Sequence, residues 1–171
     1  MSLTSNIKLQ VDCEHRKALD MADIIGDLFK TLVLDLANGT GADQADKLFH
    51  DERSLSPGTN EDLDLAGVLE DAFGDTLTFV KIKLLIIYNK DTTHTFTVKP
   101  AASAGFLGPF GAASHTLTVK PSTSLNKSFL VLIADPNGYQ VTASTADKIN
   151  VAVDAGGSAA IYGIIAVGTS A

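Results

Sequence analysis

The ten residues Phe79-Val-Lys-Ile-Lys-Leu-Leu-Ile-Ile-Tyr88 constrain the fold more than any other segment of the chain. Val80, Ile82, Leu84, Ile86 and Tyr88 form an unbroken apolar series with a period of two. The positions between them begin with Lys81 and Lys83 and turn apolar at Leu85 and Ile87. Strand side chains alternate between two faces, so the pattern describes a strand solvated at one end and buried on both faces at the other. Such a strand crosses the middle of a sheet. A helix is disfavoured by the β-branched content, which fits a pleated surface better.

Shorter strand patterns follow at residues 95–99, 116–120, 129–134, 139–143, 148–154 and 160–168. Asp135-Pro-Asn-Gly138 between two of them is a turn signal, because Pro presets φ and Asn-Gly tolerates positive φ. Asp154-Ala-Gly-Gly-Ser158 reads as a second hairpin connection. Many short strands at this spacing predict an all-β sandwich or barrel. His94-Thr-Phe-Thr-Val-Lys-Pro100 returns almost unchanged as His115-Thr-Leu-Thr-Val-Lys-Pro121. Two copies fall short of a solenoid, so they read as two similar strands whose Phe96/Val98 and Leu117/Val119 faces enter one core, with the prolines at the strand ends.

The first half is less regular. Residues 7–11 and 28–36 alternate as strands, and 18–25 reads either as a short helix or as an extended arm. Residues 47–50 and 63–65 read as short strands. Leu65, Val68, Leu69 and Phe73 stand at helical spacing, interrupted by Gly67 and Gly74. Sixteen acidic and six basic residues fall in 1–75, against four and seven in 76–171. The net charge of −7 is thus an acidic first half on a slightly basic second half. That balance argues against nucleic-acid binding, which needs a basic surface. The 171 residues suffice for one domain with its own core.

No apolar run approaches the roughly 20 residues of a membrane helix. The start, Met1-Ser-Leu-Thr-Ser-Asn, lacks a basic and apolar leader, so a soluble chain made in the cytoplasm is expected. Cys13 is the single cysteine, and Cys13-Glu-His15 cannot complete a tetrahedral zinc site by itself. His15, His50, His94 and His115 are scattered, with His94 and His115 at equivalent places in the repeated segment. Asn38, Asp43 and Asp46 around Gly39-Thr-Gly41 lack the ligand spacing of a calcium loop, and the glycines match neither a dinucleotide fingerprint nor a P-loop. No nucleophile elbow occurs. The expectation is no catalytic residue, no cofactor and no metal.

Ala104-Gly-Phe-Leu-Gly-Pro-Phe-Gly111 sets Phe106, Leu107 and Phe110 among three glycines and a proline between two strands. A loop this apolar either covers the end of the core or docks on a partner. Phe106, Leu107 and Phe110 are therefore the candidate interface residues.

Several motifs occur in order over 36–171: Asn38-Gly-Thr-Gly-Ala-Asp-Gln-Ala-Asp-Lys47, Phe49-His-Asp-Glu-Arg-Ser-Leu55, Glu61-Asp-Leu-Asp-Leu-Ala-Gly67 and Asp71-Ala-Phe-Gly-Asp-Thr-Leu-Thr-Phe79. Ala134-Asp-Pro-Asn-Gly-Tyr-Gln-Val-Thr-Ala143 and the ending Val167-Gly-Thr-Ser-Ala171 complete them. In these the chain resembles a family of small phage virion proteins, some of which look like capsid decoration, or cement, proteins. It departs from that pattern at Lys99-Pro100 and at Pro121-Ser-Thr-Ser124, where relatives place glycines. The resemblance implies a jelly-roll domain that trimerises on the outer face of an icosahedral head, with itself and the major capsid protein lattice as partners. Residues 28–171 would form that jelly-roll/β-sandwich domain. Residues 1–27, which match little, would be an N-terminal arm whose carboxylates meet basic capsid patches. A tail or fibre-base component and a carbohydrate-binding jelly roll are the competing expectations. Sugar sites favour aromatic platforms, and this chain has no Trp and three Tyr, of which Tyr88 and Tyr162 lie in apolar strands.

Overall fold

The structure, a computed structural model, describes residues 2–123 and 128–171, and among these there is no helix. A long hairpin opens the chain, β1 (Ser5–Ala18) with β2 (Asp23–Asn38), and β3 (Gln44–Ala45) adds a short parallel strand to its base. The body follows as β4 (Lys47–Leu55), β5 (Asn60–Asp64), β6 (Leu69–Glu70), β7 (Thr76–Leu77) and β8 (Lys81–Asn89). It continues through β9 (Phe96–Pro100), β10 (Leu117–Val119), β11 (Ser128–Gln140), β12 (Lys148–Val153) and β13 (Ala160–Thr169). One sheet runs β11-β8-β13-β4 and the other β10-β9-β12-β5. Their inner faces share one core: Ile82, Leu85, Ile87, Ile164 and Ala166 from the first meet Leu63, Val98, Val119, Ile149 and Val151 from the second. The Phe96 and Tyr162 rings touch across it with centroids 5.3 Å apart. The chain is an all-β sandwich.

β8 lies between β11 and β13, in the middle of its sheet, as its sequence requires. Its alternation, however, changes sides. The β13 partner of Leu84 is Val167, and that of Ile82 is Gly168, so Lys83 is an extra residue in the ladder. A bulge of one residue moves every later side chain to the opposite face. Ile82 therefore points inward while Leu84 and Ile86 point outward, and the single apolar series of the sequence is split between two surfaces. Lys83, expected at a solvated end, is 1% exposed.

The second bulge explains Asp135-Pro-Asn-Gly138. Ala134 pairs with Leu84 and Tyr139 with Ile82, so the four residues loop out of one continuous strand, β11, and do not join two. Asp135 Oδ1 accepts from the amides of Asn137 and Gly138 at 2.7 and 3.2 Å, closing the loop. The Asp154–Ser158 segment also differs from expectation. β12 and β13 belong to different sheets, so it carries the chain across the sandwich and closes no hairpin. The 65–73 helix spacing resolves into the small β6-β7 pair. The repeated strands behave as their sequences indicate: β9 and β10 are antiparallel neighbours, Leu117 opposite Val98 and Val119 opposite Phe96, with these four side chains at one core. Of Pro121-Ser-Thr-Ser124, Ser124 lies outside the described residues.

Candidate interaction surface

β1 and β2 pair without interruption from Ser5 opposite Leu36 to Ala18 opposite Asp23. With 14 residues in β1, the ribbon is roughly 45 Å long at a strand rise of about 3.4 Å per residue. The expected boundary between residues 27 and 28 falls inside it, since Leu28 stands opposite Cys13 in mid-strand. Residues 18–25, whose sequence suits either a short helix or an extended arm, form the ribbon's distal end, where the Leu19 amide donates to the Ala22 carbonyl at 3.0 Å.

Directly opposed residues of an antiparallel pair project to the same side. One side of the ribbon therefore carries Ile7/Leu34, Leu9/Leu32, Val11/Lys30, Cys13/Leu28, His15/Gly26 and Lys17/Ile24, with Leu36 at its base. The other carries Asn6/Asp35, Gln10/Thr31, Asp12/Phe29, Glu14/Asp27 and Ala18/Asp23, together with Lys8/Val33 and Arg16/Ile25. All five strand carboxylates lie on this second side, where Arg16 meets Glu14 and Asp23 at 3.2 and 3.4 Å. The first side has only cationic or neutral groups among its apolar ones. The ribbon is amphipathic.

At its base the apolar side packs on the body. Leu36, Ile7 and Leu34 join Leu3, Ala45, Leu84, Ile86, Ile165 and Val167 in a second, smaller core on the outer face of the β11-β8-β13-β4 sheet. Beyond that contact the ribbon and the sheet part. Leu9 and Leu32 on one wall and Ile86, Phe129 and Val131 on the other bound a cleft of about 630 Å³. Farther out, Ile24 and Leu28 are 58% and 55% exposed.

The outer face of the sheet is apolar well past the ribbon's base. The register sets Ile165, Ile86 and Val131 in one row across it, and Gly163, Tyr88 and Phe129 in the next. Gly163 is required there, because a Cβ at that position would run into the Tyr88 ring. Glu52 at the β4 side accepts from Lys90 Nζ at 2.6 Å and, at 3.5 Å, from the Tyr88 hydroxyl. Burial, then the Glu52 charge, raises the Tyr88 pKa. Phe129 and Ile161 remain 55% and 42% exposed.

The other candidate residues occupy separate places. Phe106 and Phe110 are buried in the main core, and Leu107 between them is exposed. The Phe106 amide donates to the Lys148 carbonyl at 2.8 Å, which fastens the 104–111 loop beside β12. Two of the three residues thus cover the core, and Leu107 alone faces outward. The histidines have unlike partners: His94 Nδ1 lies 2.7 Å from Asp154 Oδ1, and His115 Nδ1 lies 2.5 Å from the Phe110 carbonyl oxygen. Among the described residues no group of three or more potential ligands gathers to hold a metal. The 38–46 loop instead meets a cation of the chain itself, because buried Lys83 Nζ donates to the Gly41 carbonyl. Burial and then Lys81 lower the Lys83 pKa, while Asp43 and Asp135 act in the opposite sense.

The sequence expectations include a contact arm at residues 1–27, but neither the apolar side of the ribbon nor the apolar outer sheet face. Their signal exists in the sequence: odd positions 7–13 and even positions 28–36 are mostly apolar, the parity that antiparallel pairing brings to one side. In comparisons with protein-family models, with curated proteins and with solved structures, nothing matches this chain.

Proposed function

We propose that this chain is a non-catalytic structural protein of a phage virion, a capsid decoration or cement protein that sits on the outer head surface as a trimer. The observation that carries this reading is the ribbon: a long arm with an uncovered apolar side, mounted on a closed sandwich. An exposed apolar surface of that extent belongs to an assembling protein. A cement protein needs a scaffold that holds its shape, a surface for its own copies and a second for the lattice. The two sides of the ribbon differ in the way such a division of labour requires, one apolar and the other rich in carboxylates for basic lattice patches. The strand order supports the jelly-roll reading of the sandwich. Outside the small β6-β7 pair, the chain crosses between the sheets at each step from β4 to β13 except β9 to β10, which pair within one sheet, and β4 lies beside β13.

Electron microscopy of particles labelled with an antibody against this chain tests the proposal. Label spread over the whole head agrees with decoration. Label confined to one vertex or to the tail overturns it in favour of a tail or fibre-base component.

A further inference from the structure

We infer that the overhanging apolar side of the β1-β2 ribbon seats on the outer face of the β11-β8-β13-β4 sheet of a second copy of this chain. The inference identifies the self-association surface of the assembly proposed above, but stands on the geometry of the arm rather than on a virion setting.

The contact already exists once within the chain. Leu36, Leu34 and Ile7 of the ribbon pack on Leu84, Val167, Ile86 and Ile165 of the sheet, apolar side against outer face. Each surface then continues past the other. The ribbon runs on through Val11, Cys13, Leu28 and Ile24, all exposed, and the sheet runs on from the cleft at Phe129 to Ile161, which remain 55% and 42% exposed. A copy of the chain supplies the missing half to both surfaces, with the chemistry already matched in the base contact. Arm on one molecule to sheet on the next is a heterologous contact, the kind that forms a ring when the repeated rotation returns to the first copy.

Charge points to the same occupant. The apolar side of the ribbon carries Lys17, Lys30 and His15 and no carboxylate. The receiving face is bordered on the β4 side by Glu52, whose carboxylate is shared with Lys90 at 2.6 Å. Turning the ribbon over would instead set the carboxylates Asp12, Glu14 and Asp27 against an apolar sheet face, where a carboxylate without a partner is costly. The cationic side is the one that fits.

Leu28 and Phe29 provide the test, being adjacent, similarly exposed and on opposite sides of the ribbon. Light scattering on the purified full chain measures association of Leu28→Glu and Phe29→Glu, with far-ultraviolet circular dichroism to verify folding. Leu28→Glu is expected to weaken association at least tenfold while Phe29→Glu leaves it unchanged. Equal effects of the two overturn the proposal, as does a wild-type chain that stays monomeric. Cys13 gives a second readout that needs no mutation. A benzophenone maleimide placed on it, in a mixture of nitrogen-14 and nitrogen-15 protein, marks its neighbour on illumination. Adducts joining light to heavy chains at β8, β11 or β13 support the seat. Adducts within one chain, or from arm to arm, overturn it. A monomer that still decorates heads would remove this inference and the trimer, and leave the decoration role standing.

Discussion

The Tyr162 hydroxyl donates to Glu61 Oε1 at 2.9 Å, which joins β13 of one sheet to β5 of the other at the rim of the core. Glu61 Oε2 in turn accepts from Arg53 at 2.6 Å, so one carboxylate holds three strands together. Burial first, and the Glu61 charge second, push the tyrosine pKa far above its ordinary value of 10.0. The folded state therefore keeps this proton through the alkaline range in which the unfolded chain releases it. By linkage, that stabilisation is full below about pH 10 and is lost progressively above it. Tyr162→Phe is expected to lower stability by about 1.5–3 kcal/mol at neutral pH, the cost of a lost hydrogen bond to a charged group. Urea melts at pH 7 and above pH 10 check both parts, since the variant should lose less stability on going alkaline than the wild type.

On the acid side the group to watch is Asp154. Its bond to the His94 side chain, followed by the Thr95 amide at 3.0 Å, holds its pKa below the usual carboxylate value. A depressed carboxyl pKa contributes stability above the unfolded value of about 3.9 and loses it as pH falls through the folded one. Asp154→Asn should therefore flatten the acid limb of a stability–pH curve below about pH 4. An acid limb identical to that of the wild type would contradict the role of this bond.

Phe106 and Leu107 are neighbours with opposite expected consequences. Phe106 is fully buried, and removing a buried phenyl ring costs about 3–5 kcal/mol. Leu107 is 43% exposed, so Leu107→Ser should change folding stability by less than about 1 kcal/mol. Thermal unfolding of Phe106→Ser and Leu107→Ser separates the two, and a stable Phe106→Ser chain would contradict the core-covering place of the loop.

The carboxylate side of the ribbon carries its own expectation. If it meets basic lattice patches, replacing Asp12, Glu14 and Asp27 by their amides should weaken binding to undecorated heads. It should also reduce the salt dependence of that binding, because exposed charge pairs are screened. Unchanged binding over a range of salt concentrations would assign lattice contact to another surface.

Much of the sandwich is legible in the sequence for a physical reason. β8, β9, β12 and β13 are each half or fully buried, so their side chains write the period of two directly. What the sequence hides is relational. Lys83 looks like part of a solvated strand end, because a bulge is defined by the partner's register and not by the bulged residues. Asp135-Pro-Asn-Gly138 and Asp154-Ala-Gly-Gly-Ser158 both announce a turn, yet one stays within a strand and the other changes sheets. Which of these happens depends on where the next strand finds its partner. The ribbon is concealed differently. Most of its length is exposed, so charges interrupt its alternation, and only the pairing of β1 with β2 collects the apolar residues on one side. Phe106 and Phe110 show the limit of composition, which identifies an apolar loop but cannot tell cover from contact.

The most direct measurement is the stoichiometry of this chain against the major capsid protein in purified particles, by quantitative mass spectrometry. A decoration protein is present in proportion to the lattice, in a fixed ratio that scales with the number of capsid subunits. A few copies per particle, independent of lattice size, would contradict decoration and place the chain at a vertex or in the tail.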